Sequence, residues 1–173
     1  MEALHPLMAR CFGGASDLFS SRGMKVQAMG ARQGLNGHFQ IAWVIPSDPT
    51  FLPIVRATLE QLCTVLGWSD SEAKLITLAL EEALTNVIRH AYCNRADGVI
   101  ELLCEKSDGK LQFVLSDSGT APDPARICSR QDDSMEAGGM GTHIIRGVMD
   151  TVDYQSIPSG NRLVMTKRIR QIP

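Results

Sequence analysis

The chain has 173 residues, a mass of 18.9 kDa and a formal net charge of −2 from 17 basic and 19 acidic residues. That length suits one domain with its own hydrophobic core. With 44% apolar, 21% charged and only 5% aromatic residues, the composition excludes wholesale disorder and argues against a DNA-coating, base-stacking or membrane-surface protein.

Residues 1–36 hold five glycines and four methionines with no sustained period, so they read as a mobile or mis-started N-terminal extension, with Met24 and Met29 as candidate initiators. Residues 37–173 then form the domain. Phe39, Ile41, Trp43 and Ile45 alternate as in a strand. Asp48 and Pro49 suit a helix start. Leu52, Val55, Leu59, Leu62 and Leu66 follow at spacings of three and four, and Gly67 closes the helix. Ser69 with Glu72 predicts a capping box for a second helix, whose buried stripe runs through Ala73, Ile76, Leu80, Ala83, Val87 and Ala91. Ile100, Leu102 and Cys104, then Leu111, Phe113 and Leu115, predict two strands around a turn at Ser107–Lys110. A long polar loop spans 117–139. A third helix carries Ile144, Ile145, Val148 and Met149. Strands at about 151–157 and 162–170 flank a turn at Pro158–Asn161. No apolar stretch approaches the roughly 20 residues of a membrane span. The five cysteines form no CxxC pair, so zinc ribbons and thioredoxin-type motifs are excluded, and free thiols fit a reducing cytoplasm. The element order predicts an α+β fold: a two-layer sandwich with a mostly antiparallel mixed sheet of about five strands, covered on one face by three helices.

Three polar clusters interrupt this pattern. Glu82 and Asn86 stand one turn apart on one helix face, with Arg89 near it. They suit a solvated face with a Glu–Arg pair, or a carboxylate base beside an amide oxygen that ligands a hard cation. Asp117-Ser118-Gly119 ends a strand. It suits an Asx turn, or an acceptor for a heterocycle N–H with glycine opening space for the ring. Gly138-Gly139-Met140-Gly141-Thr142 precedes the third helix. It suits flexible punctuation, or a phosphate cradle at a helix N-terminus. Walker A and Rossmann signatures are absent.

In this order the clusters resemble the GHKL (Bergerat-fold) ATP-binding superfamily, and within it the anti-sigma factor, serine-protein kinase branch. Glu82 to Ala91 is similar to its N box, Asp117–Gly119 to its first glycine box and Gly139–Gly141 to its second. The resemblance implies ATP and Mg²⁺ as cofactors. Asn86 would ligand the metal, Asp117 would accept the adenine amino group with Gly119 close to the ring, and Gly139, Gly141 and Thr142 would hold the phosphates. Arg89, His90 and Met140 complete the implied nucleotide-binding set. Glu82 would be the catalytic residue, orienting or deprotonating the attacking hydroxyl, and residues 124–138 would be the ATP lid. The branch often has a basic residue before its second glycine box, where this chain has Glu136-Ala137; Arg126 and Arg130 are the candidate substitutes. The implied function is a cytoplasmic, ATP-dependent protein serine/threonine kinase of the anti-sigma type. It would phosphorylate an anti-anti-sigma (STAS-like) antagonist and sequester a sigma factor or another regulator. Homodimerisation is a further expectation; direct contact with nucleic acid or a membrane is not. The alternative is a non-catalytic ATP- or ADP-binding partner-switch module. A histidine-kinase catalytic domain ranks third, because a dimerising helix pair with a phosphoacceptor histidine finds no room.

Overall fold

A computed structural model of the chain describes residues 25–29, 38–121 and 140–169, the first of these by backbone alone. Strand β1 is Lys25–Met29 and β2 is Phe39–Pro46. A short 3₁₀ turn, Pro49–Phe51, leads into helix α1, Leu52–Val65, and then α2, Asp70–Asn86. A π-helical turn, Val87–Ala91, prolongs α2. Strands β3 (Val99–Ser107) and β4 (Lys110–Asp117) follow, then helix α3 (Met140–Val148) and strands β5 (Thr151–Ile157) and β6 (Gly160–Arg168).

The strands lie in the order β1-β2-β3-β4-β6-β5. All five pairings are antiparallel, so the sheet is not mixed. It has one strand more than the sequence pattern predicts. The addition is β1, inside the segment read as an extension and paired with Gln40–Val44 at the sheet edge. Five residues are too few to display a period of two against their glycine-rich flanks.

Alternation along the strands separates two faces. Trp43, Ile45, Ile100, Leu102, Cys104, Phe113, Leu115, Leu163 and Met165 are buried and share one core with Val55, Leu59, Leu62, Ile76, Leu80, Leu84 and Ile145 from the helices. The three helices therefore cover one face, as the order of elements predicts. Each large aliphatic side chain buried there contributes about 1.5–3 kcal/mol by leaving water. Local signals place the helix ends. Asp48 accepts from the Thr50 amide at 2.9 Å, the Ser69–Glu72 capping box forms in both directions, and Gly67 takes a φ of +90°. Asp108 and Gly109, both at positive φ, turn β3 into β4.

The second helix departs from the predicted stripe at its end. The Tyr92 amide bonds to the Val87 carbonyl, an i→i+5 bond of 3.1 Å. This wider turn inserts a residue into the helical row. Ile88, Ala91 and Tyr92 become buried, while Val87 is only half-buried.

The opposite face of the sheet carries Glu101, in register with Ser116 and, one strand further, Arg162. Burial pushes the Glu101 carboxyl up to about 7, against the weaker opposing pull of Arg162. A carboxyl raised on folding binds its proton more tightly in the native state. Stability is therefore lost as pH rises from the ordinary glutamate value toward 7. Glu101→Gln should flatten that loss and raise the melting temperature above the native chain's at pH 8, with little difference at pH 4.5. Thermal unfolding across that range measures it.

Candidate functional site

Helix α2 brings two adjacent carboxylates to the domain surface, and α1 distinguishes them. The Arg56 guanidinium grips Glu81 with two donors, Nε to Oε2 at 2.8 Å and Nη2 to Oε1. Glu82, half-buried, points the other way, toward the first turn of α3. A Cβ built on Gly141 would stand 2.5 Å from Glu82 Oε2 and 3.7 Å from Asn86 Nδ2. The i,i+4 spacing of Glu82 and Asn86 thus puts both side chains against the backbone at Gly141. Thr142, the next residue, is buried, and its Oγ1 has no hydrogen-bond partner among the described residues. A buried hydroxyl without a partner is costly unless a ligand or water satisfies it. Met140 is 72% exposed at the head of the helix.

Asp117 ends β4. Its Oδ1 accepts two donors, the Gly119 amide and Asn161 Nδ2, each at 2.9 Å. Oδ2 has no partner among the described residues. Burial raises the Asp117 carboxyl above the ordinary aspartate value; the Asn161 and Gly119 donors oppose the shift. Gly119 lies against the end of α2, where an added Cβ would come within 2.6 Å of the Ala91 carbonyl oxygen. The next amide, of Thr120, donates to that same oxygen at 2.9 Å. Tyr92 holds the segment from the other side. Its hydroxyl donates to the Val99 carbonyl at 2.6 Å and accepts from the Ser118 amide at 3.2 Å.

The structure therefore gathers Glu82, Asn86, Gly141 and Thr142 into one neighbourhood, and ties Asp117 and Gly119 to the end of the same helix. Arg89 and His90 are exposed on the π-turn, whose extra residue moves Arg89 off the row that a regular helix would continue. Gly139 lies outside the described residues, as do Glu136, Ala137, Arg126, Arg130 and the expected lid over 124–138. Asn86 offers one amide oxygen. Mg²⁺ held in this way takes its remaining ligands from phosphates and water, so the donor set fits. Among the described residues no cluster of three His, Cys, Asp or Glu side chains offers a separate metal site.

Two participants escaped the sequence reading. Asn161 looked like a turn residue, yet β6 begins at Gly160 and pairs Asn161 directly with Asp117. Tyr92 follows the Glu82–Ala91 motif directly, and nothing in the sequence pattern points to its ties to Val99 and Ser118. The available signal was the strand register, which sequence periodicity does not supply.

The chain matches the family model described as the histidine kinase-like ATPase domain over residues 45–167. It belongs to that family. Among curated relatives, the serine-protein kinase RsbW of Bacillus velezensis is 29% identical over 133 residues, covering 71% of this chain and 81% of the relative. RsbW of Bacillus subtilis is 27% identical with the same coverage. RsbW of Listeria innocua is 28% identical, covering 78% and 90%. A solved blue-light activated histidine kinase of Erythrobacter litoralis aligns with a TM-score of 0.47 at 19% identity, covering 72% of this chain and 42% of that one.

The two glycines make a matched test of this histidine kinase-like ATPase domain. An alanine methyl at 119 meets backbone, which has nowhere to go, so Gly119→Ala should cost about 1–3 kcal/mol. At 141 the methyl meets the far end of the flexible Glu82 side chain. Helix propensity favours alanine there by about 1 kcal/mol. Gly141→Ala should therefore leave stability unchanged or slightly raised. Urea unfolding of the two variants checks both signs.

Proposed function

We propose that this chain is an ATP-dependent protein serine/threonine kinase of the anti-sigma type. In this reading it phosphorylates a hydroxyl of an antagonist protein and sequesters a sigma factor or a comparable regulator in the cytoplasm. The observation that carries the reading is the convergence of Glu82 and Asn86 on Gly141, beside the Thr142 hydroxyl, which has no partner among the described residues. The family match over residues 45–167 supports ATP as the nucleotide, and the RsbW relatives support the kind of acceptor and partner. No described helix is long and apolar enough to cross a membrane. We assign the nucleotide-binding unit to residues 37–173.

In this mechanism Asp117 Oδ2 accepts the exocyclic amino group of adenine, and Gly119 lets the ring approach the backbone. The Gly141 amide and the Thr142 hydroxyl donate to phosphate oxygens at the N-terminus of α3, where the helix dipole favours negative charge. The Asn86 amide oxygen would hold Mg²⁺, which would neutralise phosphate charge. Glu82 accepts the proton of the attacking hydroxyl as its oxygen bonds to the γ-phosphorus. The bond from that phosphorus to the β–γ bridging oxygen breaks, and ADP leaves with the electron pair. Little covalent chemistry is asked of the protein, so positioning these groups is most of its work.

Asp117→Asn replaces an acceptor with a donor facing the adenine amino group. It should weaken Mg-ATP binding by about 1–3 kcal/mol, read by calorimetry. Glu82→Ala should leave ATP affinity unchanged and lower phosphotransfer to the antagonist by about 10²–10⁴-fold. Asn86→Ala should lower both. ATP binding by the native chain with no transfer to any antagonist would favour the non-catalytic partner-switch reading.

A further inference from the structure

Asn161 sits in the first residues of β6, after a hairpin turn whose Gly160 has a φ of +136°. A Cβ at Gly160 would run into the Asp117 carbonyl and the Ser118 Cα. The turn is therefore pressed against the end of β4, and only glycine passes there. The register then places Asn161 opposite Asp117. Its Nδ2 is directed at three acceptors: Asp117 Oδ1 at 2.9 Å, and the Gly119 and Thr120 carbonyls at 3.3 Å each. All three are oxygens, so the orientation of the amide is fixed by its surroundings.

We propose that Asn161 is a positioning residue of the nucleotide site, which pins the Asp117 carboxylate by Oδ1 and so presents Oδ2 in a fixed direction to the amino group of a purine. This rests on the reading of Asp117 as the adenine acceptor. The amide acts in two ways. A carboxylate turning freely about its Cβ–Cγ bond loses rotational entropy on meeting the base, and a donor already seated on Oδ1 removes that loss before binding. Asp117 is also partly desolvated, which favours its neutral form, and the neutral form does not present two acceptor oxygens. The Asn161 and Gly119 donors oppose protonation, and among the described residues no charged side chain contributes to the balance. Its neighbours across the sheet are Ile100 of β3 and Asn161 of β6. The same amide ties the carbonyls of Gly119 and Thr120, so the backbone that borders the base is held with the carboxylate.

Two measurements on the full chain test this. The first needs no nucleotide: the Asp117 side-chain carboxyl is followed by ¹³C NMR as a function of pH in the native chain, in Asn161→Ala and in Asn161→Ser. Removing the donor should move the Asp117 midpoint upward in Asn161→Ala, and the serine hydroxyl should restore part of the shift. The second is Mg-ATP affinity by calorimetry between pH 5 and 8. Binding needs the ionised carboxylate, so affinity falls as pH drops through the Asp117 midpoint. In Asn161→Ala the fall should begin at higher pH, with affinity about tenfold weaker at pH 7, and Asn161→Ser should lie between. An unchanged Asp117 midpoint in Asn161→Ala overturns the proposal, whatever ATP does. A shifted midpoint with unchanged ATP affinity and pH profile also overturns it, since the amide then acts on the carboxylate alone. If the midpoint shifts in a native chain that binds no ATP, the nucleotide reading fails, and the positioning role fails with it.

Discussion

The backbone contact between Ala91 and the Gly119–Thr120 segment is the joint on which the rest of the site depends. The Ala91 carbonyl accepts the Thr120 amide, and the absent side chain of Gly119 lets the two chains approach. One side of the joint is the end of the helix that carries Glu82 and Asn86. The other is the end of the strand that carries Asp117. The Glu82–Asn86 pair, proposed to act on phosphate, and Asp117, proposed to act on the base, thus stand on two elements joined through backbone. The π-turn makes the joint possible. By widening the helix at Val87–Ala91 it buries Ala91 and Ile88 against the sheet and delivers the carbonyl. Tyr92 then reaches across to Val99 and Ser118 and closes the same corner.

Electrostatic sorting is the second theme. Two consecutive glutamates on α2 have the same intrinsic chemistry, and the fold separates them by partner. Arg56 occupies Glu81 with a bidentate grip, which leaves Glu82 as the carboxylate that faces α3. The exposed ion pair itself adds little to stability; its consequence is directional. Asp117 shows the opposite arrangement, a carboxylate withdrawn from water and held by neutral donors alone. One of its oxygens is saturated by the protein and the other is left open.

Much of this was legible in the sequence. The capping box at Ser69, most of the apolar stripes of α1 and α2, and the alternation in β3 and β4 each carry their own period and formed where it placed them; α2 departs from its stripe only at the π-turn. The three polar clusters were legible as interruptions of those periods. What the sequence hid has one physical origin, namely pairing between distant segments. β1 is too short to show alternation, and its existence depends on the open edge of β2. Asn161 reads as a turn residue because the Pro158–Asn161 run is rich in turn formers; only the β4–β6 register reveals that it faces Asp117. The π-turn is equally silent, since Val87 and Ala91 both fit a regular helix. The extra residue is forced by where Ile88 and Tyr92 find room to pack.

The same reasoning explains why residues so far apart in the chain serve one site. Glu82 and Thr142 are separated by two strands and a long connection, yet α2 and α3 lie side by side on the sheet. Ile145 is fully buried in the core that holds Leu80 and Leu84. At its far end α3 is fastened to β6, where the Lys167 ammonium donates to the Val148 carbonyl at 2.5 Å and Asp150 accepts the Arg168 amide at 2.7 Å. That amide holds the Asp150 carboxyl below the ordinary aspartate value. With one end tied and its middle packed, the helix leaves its first turn, at Gly141 and Thr142, as the part that faces outward to Glu82 and Asn86. A helix N-terminus has amides with no partner within the helix, and here it also has a buried hydroxyl with none among the described residues. Apolar packing holds the rest of α3, and its amides without helical partners collect at the first turn, beside Glu82 and Asn86.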